Sequence, residues 1–386
     1  MRYLIVIILI SSIMLASGGV RHGTSNPYLL PQGYETNSYH SFGFSNIVSA
    51  TIADIATSNP ASLTGFSVPS FGFKSEYSTK INNAYYGIGY ERLNPLLPKA
   101  AGLVFPIDNF WIGASYNQKY SGHKTADILV TTTQDPTGSS GETESINYET
   151  AAHCFSLIGA IKFDELFNGD GSLSIGAQLN YDYLKNNDTY LNAVIDRSGS
   201  TQSFKLGTVL TLNSDISFGL LYESGIEIIG EGNIEQSILV LDNDPLQRPP
   251  GFYKVNNDIS FESQLPGHLA IGVAIHASEF LWLSQTSSLT LWKSVNDNYN
   301  NSLDLSVGGV YRLPDLFDIS FGILYADGDY LNSSYVQKMI AVYLNAGIRY
   351  AFSNFDVILE INDSHLLSNE SRKHTKFDFG VGYSFN

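Results

Sequence analysis

Large apolar residues alternate with small or polar residues along much of this chain. The C-terminal stretch 377–385 shows the alternation without a break, because its odd positions are aromatic or aliphatic and its even positions are small or acidic. Seven stretches upstream have the same period: 173–183, 216–228, 269–275, 303–313, 319–325, 340–352 and 355–361. A period of two residues predicts β-strands. The chain is therefore expected to be all-β.

Charged residues in these eight stretches all fall on the parity opposite to the large apolar set. They are Asp182, Glu223, Glu227, Asp304, Arg312, Arg349, Asp356, Glu360 and Asp378. A soluble sandwich also alternates, but aromatic strand ends and small residues on the polar parity favour a transmembrane barrel whose apolar face meets lipid. Those small residues are Gly272, Ala274, Gly308, Gly380 and Gly382. We therefore expect a transmembrane antiparallel β-barrel.

Short and long connections alternate between the predicted strands, as in outer-membrane barrels, which have short periplasmic turns and longer external loops. Short joins fall at 108–109, 213–215, 278–280 and 353–354, and long polar loops at 122–145, 186–199, 230–266, 293–301, 327–337 and 363–375. The turn signals alone give an odd number of strands. Because bacterial barrels have an even number, we predict about 14 strands, with 16 as the alternative and 66–92 as the ambiguous segment.

The N-terminus has the pattern of a cleaved export signal over residues 1–18. Arg2 supplies the positive charge, residues 4–15 form an apolar core, and Ala16-Ser17-Gly18 supplies small residues for cleavage. The apolar core is shorter than the roughly 20 residues of a membrane anchor. Export together with the barrel pattern predicts localisation in the outer membrane of a Gram-negative bacterium.

Composition excludes several classes of function. The chain has a net charge of −16 and no basic run with interleaved aromatic residues, so no nucleic-acid partner is expected. Cys154 is the single cysteine, which excludes an internal disulfide and a Cys-x-x-Cys redox pair. The eight histidines are scattered and no catalytic motif is present. We expect no metal, no cofactor and no enzymatic activity.

Residues 19–65 lack lasting alternation and contain the box Asn59-Pro60-Ala61-Ser62-Leu63 just before the first strand. On local physics this box is a turn, since Asn before Pro starts turns readily. In its position it resembles the FadL/TodX family of outer-membrane transporters for long-chain fatty acids and hydrocarbons. Similar segments follow at 264–267, 289–292 and 309–315.

The resemblance implies an N-terminal hatch, residues 19–65, that plugs the lumen of a barrel formed by residues 66–386. Asn59, Pro60 and Ala61 would be its motif. It also implies a lateral opening where the third strand bends inward. The matching strand is 110–121, and Gly113, Ala114 and Ser115 are the candidates, although small inward residues also simply fill a lumen.

Four apolar residues lie on the polar parity: Leu221, Val310, Leu324 and Ile358. They are candidates for an apolar ligand path beside the hatch, and packing against the hatch itself is the alternative. Lys119, Arg312 and Arg349 are inward cations that could bind a head group. Loop 230–266 carries an apolar cluster suited either to capture of a ligand or to packing on itself.

These features predict a passive transporter that takes up hydrophobic compounds such as long-chain fatty acids or hydrocarbons, with plug movement and lateral release. The alternative is a FadL-like plugged barrel that acts as a partner or shuttle in a protein-secretion system; a simple porin or adhesin is a third hypothesis. The expected partners are outer-membrane lipid, a hydrophobic small molecule and, during biogenesis, the barrel-assembly machinery. The protein is expected to be a monomer.

Overall fold

The computed structural model describes residues 42–78, 90–92, 97–130, 142–166, 171–190, 193–213, 215–240, 251–295, 301–314, 316–332, 335–368 and 375–385. The predicted signal, residues 1–18, lies outside the described residues, as does the hatch before Phe42. The strands are β1 (Ser70–Ser78), β2 (Tyr90–Arg92), β3 (Leu97–Ile107), β4 (Phe110–Val130), β5 (Glu142–Leu166), β6 (Gly171–Tyr190), β7 (Ala193–Asn213), β8 (Ile216–Glu223), β9 (Ile226–Val240), β10 (Gly251–Leu265), β11 (His268–His276), β12 (Leu281–Thr290), β13 (Ser302–Leu313), β14 (Phe317–Asn332), β15 (Tyr335–Phe352), β16 (Phe355–Asp363) and β17 (Thr375–Ser384).

These segments form one closed antiparallel barrel of fourteen strands. β2 and β3 both pair with β4, β8 and β9 both pair with β7, and β10 and β11 continue one another opposite β9 and β8. Each of these three pairs of segments therefore makes one barrel strand. β17 pairs with β1 from Ser384–Ser70 to Lys376–Ser78 and closes the barrel. The prediction of fourteen strands is confirmed.

Tight turns join the strands at one end of the barrel. Asp108 and Ser353 adopt left-handed backbone angles, with φ of 52° and 50°, in the two-residue joins predicted at these positions. Short polar residues adopt this conformation more readily than bulky ones. Outer-membrane barrels have their short turns on the periplasmic side, so we assign this end of the barrel as the periplasmic end.

Several predicted external loops are strand instead, so this part of the prediction is wrong. β4 continues to Val130, β6 to Tyr190 and β9 to Val240, and each pairs with the next strand over this extension. The sequence of these described extensions lacks a lasting alternation because a sheet above the bilayer meets water and needs no apolar face. The wall from β4 to β10 therefore extends further outward than the wall from β16 to β17.

Glu227 is a second correction, because it lies on the exposed face of β9 and not in the lumen. Glu223 is the last inward residue of β8, and Ile226 and Ile228 are buried on the next segment. The break at Ser224 and Gly225 shifts the phase of the strand by one residue. The sequence prediction assumed one phase of alternation across 216–228, and it therefore placed Glu227 on the wrong face.

A belt of large apolar side chains covers much of the outer wall of the barrel. Phe105, Leu157, Leu206, Ile323 and Leu359 are examples from five different strands, each at least 40 % exposed. Outward apolar and inward polar residues are the pattern of a wall that meets lipid. No helix in the described part of the chain has the length and apolar character needed to cross a membrane.

Candidate functional site: the hatch and the lumen

Residues 42–66 form the hatch, here meaning the described segment inside the periplasmic half of the barrel. It consists of three short 3-10 turns, Phe42–Phe44, Ile52–Asp54 and Pro60–Gly65. Phe44, Ile47, Ile55 and Leu63 are almost completely buried in it. The hatch contributes to the apolar clusters that fill the periplasmic half of the lumen.

Asn59 is the N-cap of the third turn and ties the hatch to the wall. Its Oδ1 accepts a hydrogen bond from the Ala61 amide at 3.0 Å, and Pro60 follows at the first helical position, where a missing N–H costs nothing. The two hydrogens of its Nδ2 are shared among three carbonyl oxygens within hydrogen-bond distance, of Ile47 at 2.8 Å, Thr208 at 3.1 Å and Leu220 at 3.3 Å. The box is thus both a rigid turn and a contact with the wall.

Glycines on the inner wall let the hatch backbone approach closely. A Cβ at Gly207 would overlap the amide oxygen of Asn59, and a Cβ at Gly176 would overlap the peptide between Pro60 and Ala61. The inward glycines predicted from the sequence have the same role. Gly272 faces Ile47, Gly308 faces Phe44, Gly380 faces Ala53 and Gly382 faces Ile52.

The four apolar candidates for a ligand path all pack against the hatch. Leu221 forms a cluster with Ile47, and Leu324 forms one with Phe44. Ile358 packs with Phe42 and Ala53, and Val310 lies against the same cluster. The sequence left two interpretations open, a ligand path and packing against the hatch, and these contacts are of the second kind.

An ion pair joins the second hatch turn to the wall. Lys74 of β1 lies 3.3 Å from Asp54 of the hatch and 3.9 Å from Glu360 of β16. Both carboxylates are buried. Lys74 thus connects the hatch to β16, which lies two strands from β1 along the wall, on the other side of β17.

A layer of polar side chains crosses the lumen on the external side of the hatch. Lys119 lies 2.8 Å from Asp182 and 2.7 Å from Glu223, and Lys205 lies 3.6 Å from Glu223. We call these four residues the charged girdle. Neighbouring amides and hydroxyls extend it across β5, β6 and β7: Ser156, Gln178, Asn180 and Ser203.

An apolar cluster lies further out, beyond the charged girdle. Leu184, Ile226, Ile228 and Leu265 are buried there with Ala152, and Phe261 packs against them. The lumen therefore has three layers along its axis: an external apolar cluster, the charged girdle and the hatch.

The third barrel strand, β4, is interrupted at Lys119. Gly113, Ala114 and Ser115 lie in continuous ladders with both β3 and β5. The irregularity follows at Gln118–Tyr120, where Lys119 is the extra residue opposite β5. On the other edge, the β3 ladder ends at Asn117 and the β2 ladder begins at His123, so 118–122 have no ladder partner there among the described residues.

Arg312 and Arg349 lie at the periplasmic end. Arg349 donates to Asp356 at 2.7 Å, and Arg312 lies 3.5 Å from Asp318. Both line a cavity of about 130 Å³ between the hatch and the wall, which Trp282 also borders. Lys119 belongs to the charged girdle, so the three predicted head-group candidates lie at two different levels of the lumen.

A separate, almost wholly apolar groove of about 650 Å³ lies on the wall from β4 to β8, between Phe110 and Tyr222.

A closed fourteen-stranded barrel with an apolar outer belt, a polar interior and a hatch is an outer-membrane barrel of the kind found in Gram-negative bacteria. No described group of three or more His, Cys, Asp and Glu side chains could hold a metal ion.

Solved structures with this fold include the toluene transporter TbuX of Ralstonia pickettii, with 12 % identity, a TM-score of 0.66, and coverage of 92 % of this chain and 99 % of that one. The toluene transporter TodX of P. putida matches with 14 % identity, a TM-score of 0.66 and the same coverage. A Pseudomonas aeruginosa FadL homologue matches with 14 % identity and a TM-score of 0.60, covering 92 % of this chain and 100 % of that one. Neither a family model nor a curated protein sequence matches the chain. The resemblance to the FadL/TodX family is thus confirmed at the level of the fold.

Proposed function

We propose that this protein is a passive outer-membrane transporter that takes up hydrophobic compounds, and that it is not an enzyme. The layered lumen is the observation that carries the proposal. A water-filled porin has no use for an apolar cluster at its external side and a hatch at its periplasmic side. Proteins of this fold that are described as toluene transporters give the same indication.

The charged girdle favours release through the wall over passage along the axis. An apolar molecule leaving the external cluster would have to displace paired charges to move further inward, and separating buried charges is costly. The interruption of β4 lies at the level of the charged girdle, where Lys119 belongs to both. We therefore place the lateral opening at 118–122, next to the predicted Gly113, Ala114 and Ser115.

Movement of the hatch would widen the path. Leu221, Val310, Leu324 and Ile358 are covered by hatch residues, so displacement of the hatch would expose an apolar strip on the wall. A ligand bound beside this strip would compete with Ile47 and Phe44 for the same surface. The proposal keeps these four residues as the ligand path in the displaced state.

A role in protein secretion is a second candidate function. The wall from β4 to β10 extends beyond the bilayer and offers a secreted protein a large polar surface. Specific retention of a secreted protein, without uptake of any hydrocarbon, would favour this second function.

Removal of the β4 bulge tests the proposal. Deletion of Lys119 would leave Gln118 and Tyr120 in register with His153 and Ala152, which makes the β4–β5 ladder continuous. We expect this variant to lose uptake of a labelled hydrocarbon such as toluene into cells. Deletion of Leu212, the extra residue between Thr211 and Asn213 at the periplasmic end of β7, is the matched control and should retain uptake.

Heat-dependent gel mobility checks that both deletion variants are folded barrels. Unchanged toluene uptake after deletion of Lys119 would contradict lateral release at this position. Equal loss in both deletion variants would point to general damage to the wall.

A further inference from the structure

We propose that the lumen selects uncharged hydrophobic molecules and rejects those that carry a carboxylate. This inference rests on the proposed function, and it narrows the compounds that the transporter takes up. It starts from the charges that face the lumen.

Six basic side chains on the inner wall each have a carboxylate partner. Lys119 and Lys205 share Glu223, and Lys119 also contacts Asp182. The remaining pairs are Lys74 with Asp54, Arg197 with Asp188, Arg312 with Asp318 and Arg349 with Asp356. A carboxylate on a cargo molecule would therefore have to displace a carboxylate of the protein.

Acidic groups also dominate the buried interior. The buried ionisable side chains include Asp54, Asp182, Asp188, Glu223, Asp304, Asp356, Glu360 and Asp378, against the basic residues Arg197 and Lys205 and the nearly buried Lys74 and Lys119. An anion entering this interior meets like charges in a medium of low dielectric constant, where repulsion is stronger than in water. The lumen is thus unfavourable for an anionic head group even where a cation lies nearby.

The external apolar cluster, in contrast, favours uncharged molecules. Leu184, Ile226, Ile228 and Leu265 offer an apolar surface to which a hydrocarbon binds by burial of its own surface. An uncharged molecule leaves the ion pairs of the charged girdle intact. The predicted head-group candidates Lys119, Arg312 and Arg349 then act as parts of the wall and not as ligand-binding cations.

Binding of two matched probes tests this selection. Tritiated 1-dodecanol and dodecanoate have the same chain length, and at about pH 8 the free acid is ionised. We expect the purified protein in detergent to retain dodecanol at least about tenfold better than dodecanoate, after correction for partition of each probe into empty micelles.

The double variant Asp182→Asn/Glu223→Gln removes both carboxylates from Lys119 and leaves Lys205 without Glu223. We expect dodecanoate binding to rise and the preference for dodecanol to fall by about tenfold or more. Asp258→Asn removes an exposed carboxylate on β10, away from the charged girdle, and should keep the original preference. Heat-dependent gel mobility shows whether each variant is folded.

Lys119→Met provides a second readout if the double variant does not fold. It leaves the two girdle carboxylates and removes the cation between them, so the preference for dodecanol should increase. Equal binding of the two probes by the natural protein would overturn the inference, as would an unchanged preference in the folded double variant. Failure of the natural protein to bind either probe would instead remove the proposed function, and the inference with it.

Discussion

At the scale of single residues, Asn59 holds the hatch in place with one side chain. Its Nδ2 reaches carbonyls of the hatch, β7 and β8, and the two wall carbonyls belong to a register pair, Thr208 and Leu220. Asn59→Ala would leave these carbonyls without that donor. Each lost hydrogen bond in a buried site costs about 1 kcal/mol, and more where a group stays unsatisfied.

We expect Asn59→Ala to loosen the hatch and raise ion conductance of the protein in planar bilayers. Asn256→Ala is the control, because Asn256 is exposed on β10 far from the hatch. Equal conductance of the two variants would show that Asn59 does not hold the hatch closed.

Gly207 lies on the wall against Asn59, so its substitution tests the same contact from the other side. Gly207→Ala places a methyl group where the Asn59 side chain lies, whereas a Cβ at Gly159 has open space around it. We expect limited proteolysis to cut the hatch of the Gly207→Ala protein faster than that of the Gly159→Ala protein. Similar cleavage rates would mean that the close approach of Asn59 to the wall is not required.

At the scale of elements, the Lys74 ion pair links the hatch to the barrel. Lys74→Met leaves Asp54 and Glu360 buried without the lysine, while Asp54→Asn leaves Lys74 with Glu360. Removing one partner of a buried pair costs about 3 to 5 kcal/mol. We expect Lys74→Met to lower the urea midpoint of unfolding more than Asp54→Asn does.

The triple variant Lys74→Met/Asp54→Asn/Glu360→Gln provides the check on this explanation. It removes the charges together, so it should recover part of the stability lost in Lys74→Met. No recovery would indicate that packing of the lysine chain, and not its charge, stabilises the contact.

Strands inside the bilayer could be predicted from the sequence, and strands above it could not. Residues 355–361 and 377–385 alternate because one face meets lipid and the other meets the lumen. Above the bilayer, β4 beyond Gly122 and β9 beyond Gly230 have no lipid against their outer face. Pairing with the neighbouring strand then maintains the sheet without any demand on residue type, so no periodic signal remains.

The contacts of the hatch depend on residues far apart in the chain, which limits what sequence alone can show. The Asn59 box was visible as a turn, but its bonds to Thr208 and Leu220 require the folded wall. The extra residue at Lys119 was equally hidden, because a bulge is defined by the partner strand and not by its own sequence. The inward glycines were visible as small residues, and their role became clear only where a hatch atom lies against them.

At the scale of the whole molecule, the apolar belt requires a bilayer around it. Leu359 is 56 % exposed on β16, four residues from the periplasmic turn, which places it near the middle of the belt. Ile229 is 70 % exposed on β9, but exposed Glu227 and Glu231 flank it on the same face. These charges place Ile229 in water above the membrane, although its own side chain is as apolar as that of Leu359.

Arginine substitutions at these two positions should therefore have different effects. An outward arginine near the bilayer midplane costs about 2 to 4 kcal/mol and close to nothing near the interface. We expect Leu359→Arg to lower the stability of the barrel in lipid vesicles by about that amount, and Ile229→Arg to leave it nearly unchanged, measured by urea unfolding. If the more exposed Ile229 were the costlier site, the wall around β9 would lie in lipid, and the external extension from β4 to β10 would have to be placed inside the membrane.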